Sequence, residues 1–438
     1  MYNTVFVLCL SFLAVLAKYE IYEGHTLYNI VVKDVEQAKL VNGLEKQIPI
    51  DIWMYAMPGR PGQVFVSKET EQKFLDVVEN ADIEYSILTD NIRESLELEK
   101  ERLAAAAKRK SERSSFGLDF DTIHRYEVVD AYLTELSIRF PHFVTVESAG
   151  NSFEGRDIKY LKISTTHFQN NTKPVIMLQS LLHAREWITL PATLYAIEKL
   201  VIDITERDLV DNIDWIILPI ANPDGYEWSH TDARFWRKNR RNGLLPGDSC
   251  VGVDPNRNFD VFWGNNSSDD VCSNTFHGTS AFSEPETAII RDIILEHSDR
   301  LEMYMDIHSH GSMILYGFGN GELAPNGLEL HVVGVAMAQA IDQVKWVEKP
   351  NYRVGNFAAV LYPASGFSSD WVQIAGATLS YTYELPSYRG QSGVNGFLVD
   401  PDFIVQAGYE TWEGIKAGVR QATNKFYNRV AEKEAILR

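Results

Sequence analysis

Cysteine is scarce in this chain. Its 438 residues include 3, too few for a disulfide scaffold or an all-cysteine zinc site. Positive charge is also short: 41 Lys and Arg face 60 Asp and Glu, a formal net charge of −19 at pH 7. Affinity for a phosphate backbone comes from Lys and Arg displacing counterions, so nucleic acid is excluded as an expected partner. Beyond Val5 to Ala17 there is no long apolar run, and nothing of about 20 residues to span a bilayer. What is present is ordinary globular composition, 45% hydrophobic and 23% charged. That excludes a mainly disordered chain, a collagen and a polytopic membrane protein. Aromatics reach 11%, with 9 Trp and 20 Tyr, enough for a large core and a ligand-binding surface. At about 150 residues per domain the length suggests two or three units.

Val5 to Ala17 (VFVLCLSFLAVLA) is followed at once by Lys18-Tyr19-Glu20. The run is too short for a membrane helix and right for a signal-peptide core, with Val15 and Ala17 suited to cleavage. The first residues carry no Lys or Arg, which is unusual for such a segment; a buried N-terminal strand is the alternative. Residues 1–17 are therefore read as a signal peptide of a secreted, extracellular protein. Cys9 leaves with it, and Cys250 and Cys272 remain as an even pair in an oxidising compartment, read as one disulfide. Asn170-Asn171-Thr172 and Asn265-Asn266-Ser267-Ser268 are candidate stretches for glycan acceptors.

Residues 18–89 follow a short, regular pattern: strand TLYNIVV, helix from Val35 to Leu44, strand IPIDIWMY, turn MPGRPGQ, strand VFV, helix from Glu69 to Val78, strand IEYSIL. The order βαββαβ is a small α+β ferredoxin-like domain, which by itself implies no function. Residues 90–113 are rich in strong helix formers and in acid–base pairs near i,i+4 spacing. They end in Lys108-Arg109-Lys110 and Arg113. This is a solvated connecting helix in structure, and basic sites between domains are where proteolysis concentrates.

Lys173 to Leu182 (KPVIMLQSLL) has the apolar continuity of a buried strand in an α/β sheet. It delivers His183-Ala184-Arg185-Glu186-Trp187 at its C-terminal end, where ligands gather in such sheets. His183 and Glu186, at i,i+3, can converge on one metal ion, although the pair alone is a weak signal. A second apolar stretch ends in Met305-Asp306-Ile307-His308-Ser309-His310, and His308 could complete a set of two His and one carboxylate, a catalytic zinc set with an open fourth position. Other marked segments are Ala233 to Lys238 (ARFWRK), Gly252 to Phe259 (GVDPNRNF), Leu361 to Gly366 (LYPASG) and Tyr381 to Leu385 (YTYEL).

In their order and spacing these motifs resemble the secreted zinc metallocarboxypeptidases of the A/B type, made as procarboxypeptidases. The resemblance runs almost the whole length. It implies an α/β fold: a large catalytic domain, 114–438, with a mixed, mostly parallel twisted sheet flanked by helices, preceded by the propeptide domain and its connecting helix and activation segment. Residue by residue it implies that His183, Glu186 and His308 bind one Zn2+. Asp254 is implied to orient the first zinc His; a carboxylate accepting the ring N–H fixes the tautomer. Glu384 is implied as the catalytic carboxylate that moves protons, and Arg237 as the group that polarises the scissile carbonyl. Asn256 and Arg257 match the pair that grips a terminal carboxylate, Tyr362 the mobile Tyr that closes over it, and Arg185 and Arg234 accessory positive groups along the substrate path. Cys250 and Cys272 match the family's disulfide. Cleavage among Lys108, Arg109, Lys110 and Arg113 would release the enzyme.

The pocket for the C-terminal side chain is matched by Leu315, Gly319, Phe357, Leu361, Ala364, Ser369 and Thr382. The basic-specific branch has Asp at the position of Ser369 and the apolar-specific branch usually Ile, so Ser departs from both. Phe367 is bulkier than the usual small residue, and His310 stands where Tyr is common. Without a carboxylate at 369 an incoming Lys or Arg would be left unpaired, which is costly; aromatic and aliphatic C-terminal residues are the expected substrates, in a pocket roomier or more polar than usual. Expected partners are peptide and protein C-termini, an activating trypsin-like protease and protein inhibitors; the chain is expected to be a digestive monomer that binds no membrane. A catalytically silent peptide-binding module with the same fold is the competing class, and the intact set of Glu384, Arg237 and zinc ligands argues against it.

Overall fold

The computed structural model describes residues 19–108, 118, 121–244, 250–387 and 396–437. The signal-peptide reading over 1–17, with Cys9, lies outside them, as do Arg109, Lys110 and Arg113 of the cleavage segment. The described residues fall into two compact units. One holds the residues up to Lys108, Thr231–Arg234 and the segment ending at Asp400; the other holds the remainder.

In the first unit the strands are β1 (Thr26–Val31), β2 (Ile50–Met54), β3 (Gly62–Val66) and β4 (Glu84–Thr89). Helix α1 (Val35–Asn42) follows β1 and α2 (Glu71–Asn80) follows β3. All pairings are antiparallel in the order β2-β3-β1-β4, the ferredoxin-like arrangement expected from the pattern. Alternation places Tyr28, Ile30, Val64 and Val66 on one face, and Val41, Phe74 and Val78 of the two helices close over it. Asp34 starts α1 by accepting the Gln37 N–H at 2.8 Å. Helix α3 (Ile92–Lys108) then runs to the basic cluster. Its buried face is Ile92, Leu96, Glu99 and Ala106; the acid among them has a specific partner, described below.

The second unit opens with α4 (Tyr126–Arg139), β5 (Val144–Asn151), β6 (Asp157–Ile163), β7 (Val175–Ser180), α5 (Thr189–Val201), β8 (Asp214–Leu218) and α6 (Pro223–Thr231, whose last residue belongs to the first unit). It continues with α7 (Pro285–His297), β9 (Leu301–Ser309), β10 (Met313–Tyr316), α8 (Gly327–Asp342), β11 (Arg353–Asn356), α9 (Ser368–Ala375), β12 (Leu379–Leu385) and α10 (Pro401–Leu437). The eight strands form one sheet in the order β11-β10-β12-β9-β7-β8-β6-β5. Four of its seven pairings are parallel and three antiparallel. Parallel sheets are covered on both faces, and every residue of β7, β8 and β9 is buried. Val175, Met177, Ile216 and Leu218 pack with Ile290 and Ile294 of α7.

The topology positions the site. β7, β9 and β12 lie side by side and run the same way, so their C-terminal ends share one edge of the sheet. The chain leaves β7 through Leu181, whose φ is +53°. Asn222 holds that turn: its N–H donates to the Leu181 carbonyl at 3.1 Å and its amide to the Leu182 carbonyl at 3.2 Å. His183 to Glu186 form the turn that follows, ahead of α5 rather than inside it.

At the start of α7 two acids are fully buried. The Asn239 amide donates to Glu284 Oε2 at 2.7 Å and to Glu286 Oε2 at 3.0 Å, while its oxygen accepts the Val253 N–H at 2.8 Å. Burial pushes Glu286 up from 4.5 to about 7, so the folded protein keeps a proton there that the unfolded chain releases above pH 4.5. The resulting stabilisation is complete below pH 4.5 and lost as pH rises through about 7. Thermal melts of Glu286→Gln should show a shallower loss of stability over that window than wild type; an unchanged slope would contradict the assignment.

Candidate active site

Three ligand atoms converge at the shared strand edge. His183 Nδ1 lies 2.7 Å from Glu186 Oε1 and 3.1 Å from His308 Nδ1, and His308 Nδ1 lies 2.9 Å from Glu186 Oε2. All three residues are buried, and among the described residues they form a group able to hold a metal ion. Each imidazole turns Nδ1 inward and Nε2 outward onto a carboxylate: His183 Nε2 to Asp254 Oδ1 at 3.2 Å, His308 Nε2 to Asp306 Oδ2 at 2.9 Å. This chemistry suits zinc, which takes neutral imidazole nitrogen and carboxylate oxygen from rings braced at the far nitrogen. Burial would raise the Glu186 pKa, but the two imidazoles hold it low. Burial works against the charged form of His308, yet Asp306 and Glu186 raise its pKa well above the ordinary value.

Asp254 is fully buried and serves several groups. Besides His183, its Oδ1 accepts the Asn256 N–H at 2.9 Å; its Oδ2 accepts Arg237 Nε at 3.0 Å and Nη2 at 2.8 Å. Burial opposes ionisation here too, but Arg237 and Arg257 keep the Asp254 carboxyl well below the usual range. Arg237 answers in kind: burial disfavours its charge, and Asp254 more than compensates.

The neighbouring turn carries the two residues expected to grip a carboxylate. Asn256 Oδ1 accepts the Ser368 N–H at 2.9 Å, which fixes the amide with its NH2 end 3.3 Å from His308 Nε2. Arg257 is buried, with Nη1 donating to the Asn256 carbonyl at 2.7 Å and Nη2 to the Tyr362 hydroxyl at 3.1 Å. Its Nε is buried without a hydrogen-bond partner among the described residues. A desolvated guanidinium donor of this kind calls for an anion, and the fork geometry suits a carboxylate.

Glu384 is set opposite His308 in the register of β12 and β9. Burial pushes its pKa up to about 7, helped by Glu186 and opposed by His308 and Arg237. Arg185 is buried and reaches the Phe235 carbonyl at 3.4 Å. His310 is buried, and burial lowers it to about 4. Arg234 is grouped elsewhere: it belongs to the first unit, where its guanidinium donates to both oxygens of Glu99, Nε at 2.8 Å and Nη2 at 3.0 Å, and to the Phe397 carbonyl. The same Glu99 accepts the Val399 N–H at 2.7 Å.

The expected pocket residues do come together. Leu315, Phe357, Leu361 and Ala364 share one apolar cluster with Phe367, and Leu315 pairs with Thr382 across β10 and β12. Ser369 and Thr382 hydrogen-bond to each other through their hydroxyls at 2.8 Å. Gly319 lies under Phe367, so close that a Cβ would meet its ring at 2.4 Å. Phe367 packs against Phe357 at 4.3 Å and beneath the Arg257 guanidinium at 4.6 Å. Ser369 thus sets a hydroxyl beside Thr382 at the edge of this cluster, and the Phe367 ring packs into it. Asp370, the next acid along, turns away and accepts the Gly319 N–H at 2.6 Å; burial raises it to about 7. Cys250 and Cys272, 22 positions apart, are bonded and close a loop that contains the Asn256–Arg257 turn, worth about 3 kcal/mol in the loop-entropy model.

Sequence reasoning missed Asp306, Glu99 and the packing role of Phe367. Asp306 was findable in principle, since residues two apart on a strand face the same way.

Residues 129–414 match the family model described as zinc carboxypeptidase, and residues 28–99 the one described as carboxypeptidase activation peptide. The chain is 42% identical to a carboxypeptidase B of Helicoverpa zea, covering 96% of this chain and 99% of that one. It is 32% identical to carboxypeptidase A2 of Mus musculus, over 91% and 93% respectively. The crystal structure of carboxypeptidase A from Helicoverpa armigera superimposes with a TM-score of 0.91 at 58% identity, over 92% and 99%. Fold and metal group define a metallopeptidase. More closely, the chain belongs to the zinc carboxypeptidase family and carries an activation peptide, as a zymogen does.

Gly366 offers a stability test. Its φ is +74°, and a Cβ there would stand 2.3 Å from the Arg257 carbonyl oxygen. Gly155 has φ +91° with open space around it. Gly366→Ala should cost clearly more than Gly155→Ala, which loses only the backbone preference of about 1–2 kcal/mol. Equal shifts in Tm would show that the close approach to Arg257 does not matter.

Proposed function

We propose that this chain is a secreted digestive zymogen which, once a trypsin-like protease has cut in the basic segment from Lys108 to Arg113, removes aromatic and aliphatic residues from peptide C-termini. The observation that carries the exopeptidase reading is the junction of grip and metal group: the Asn256 NH2 sits 3.3 Å from His308, and Arg257 follows it in the chain. A carboxylate held there would stand beside the metal group, an arrangement that suits attack on the peptide bond next to the chain terminus.

Zinc held by His183, Glu186 and His308 supplies Lewis acidity and lowers the pKa of water. The chain's own groups do the rest. Arg257 and Asn256 bind the terminal carboxylate, and Tyr362 exchanges its hydrogen bond with Arg257 for one to the substrate. Arg237 is anchored to Asp254 through Nε and Nη2, leaving Nη1 as the donor for the developing oxyanion; one such donor is typically worth about 10²–10³ in rate. Glu384, with a pKa raised toward neutrality, accepts a proton from water and returns it to the leaving amine.

The names of the relatives divide between A and B types, so the pocket must decide specificity. Its apolar cluster, and a Ser369 satisfied by Thr382, favour apolar side chains; Asp370 is committed to the Gly319 backbone. Latency is supported by the match of residues 28–99 to a carboxypeptidase activation peptide.

Mass spectrometry of a peptide mixture, before and after adding trypsin-activated protein, should show loss of single C-terminal Phe, Tyr, Leu and similar residues, and Ser369→Asp should gain activity on C-terminal Arg. A native preference for Arg over Phe would overturn the specificity. In a trypsin titration with N-terminal sequencing, activity on large substrates should rise with cleavage near residues 108–113. Full activity of the uncut chain would sink the zymogen reading.

A further inference from the structure

Behind His308 stands an acid to which neither the motifs nor the resemblance gave a role. Asp306 and His308 are two residues apart on β9 and share a face. Asp306 is fully buried, and its Oδ2 lies 2.9 Å from His308 Nε2. The same oxygen accepts the hydroxyl of Ser368, at the first turn of α9. Ser368 in turn gives its backbone N–H to Asn256 Oδ1 at 2.9 Å. One serine therefore ties the acid behind the metal ligand to the residue that grips the substrate.

The hydrogen bonds around His308 allow only one useful arrangement. Among the described residues Nε2 has two polar neighbours, Asp306 Oδ2 at 2.9 Å and Asn256 Nδ2 at 3.3 Å. Because Asn256 Oδ1 faces the Ser368 N–H, its nitrogen end is a donor and cannot accept a proton from His308. Asp306 is the acceptor. It keeps the proton on Nε2 and leaves the Nδ1 lone pair facing Glu186 and His183. With Asp306 gone, the other tautomer becomes satisfied: Nε2 accepts from Asn256, and Nδ1–H donates to Glu186 Oε2, 2.9 Å away. That ring cannot ligate a metal.

We propose that Asp306 is a positioning residue of the metal centre: it selects the metal-binding tautomer of His308, and through Ser368 it aligns Asn256 with that choice. The inference rests on the zinc reading of the His183–Glu186–His308 group and is independent of which side chain the enzyme removes.

The test is zinc affinity of the full chain, measured by competition with a chromophoric chelator, for wild type, Asp306→Ala and Asp306→Asn, with near-UV circular dichroism as the folding control. Asp306→Ala should bind zinc about 10–100-fold more weakly, the usual cost of losing such a partner. Asp306→Asn, whose Oδ1 can still accept from Nε2, should recover part of that loss. Wild-type affinity in Asp306→Ala would overturn the inference, as would an Asn variant no better than Ala. If Asp306→Ala does not fold, the Asn variant decides: a folded protein with affinity at least threefold below wild type supports the role, and wild-type affinity removes it. A wild-type chain that bound no zinc would instead overturn the zinc reading itself.

Discussion

The site hangs on one buried carboxylate. Asp254 touches a metal-ligating imidazole with one oxygen and a guanidinium with the other, and that first oxygen also orders the turn carrying Asn256 and Arg257. An isolated buried charge would be very costly. Here the cost is offset because Asp254 is the acceptor for nearly everything around it. The arrangement makes the geometry of the site and local stability the same problem: Arg237 cannot drift from the metal group without taking two hydrogen bonds from Asp254 Oδ2.

In a chain this acidic, the proposed grip on a terminal carboxylate depends on concentrated positive charge. Arg237 and Arg257 both face Asp254, Arg257 at 3.9 Å. Both are kept in place by that one counter-ion. In the first unit Arg234 shows the same chemistry satisfied internally, its fork closed on Glu99.

Much of this was legible in the sequence. The apolar run into His183 marked a buried strand with a functional end, the ferredoxin-like pattern appeared element by element, and residue types offered His183, Glu186 and His308 as a candidate metal set, which the family resemblance then implied. What stayed hidden depended on partners far apart in the chain. Glu99 looks like one more acid on a solvated helix until Arg234, 135 residues away, arrives to bury it. Asp306 looks like part of an apolar strand's end; its purpose needs both the pleat of β9 and the position of Ser368, 62 residues on. Phe367 could be recognised as large, but which way its ring would turn depended on the absence of a side chain at Gly319. Local pattern carries elements and ligand sets, whereas braces and pocket volume are set by tertiary neighbours.

The pairing of Glu384 with His308 has a further consequence. Neighbouring strands are held about 4.8 Å apart by their ladder of hydrogen bonds. The separation between the backbones that carry Glu384 and His308 is therefore a spacing of the sheet itself, not a loop conformation. The side-chain pocket is different, because much of it is built from loops and the first turn of α9. Such a division lets the lining of the pocket vary from one relative to the next while the chemistry keeps its dimensions, as if the reacting atoms were marked on a ruler that the rest of the protein is free to carry.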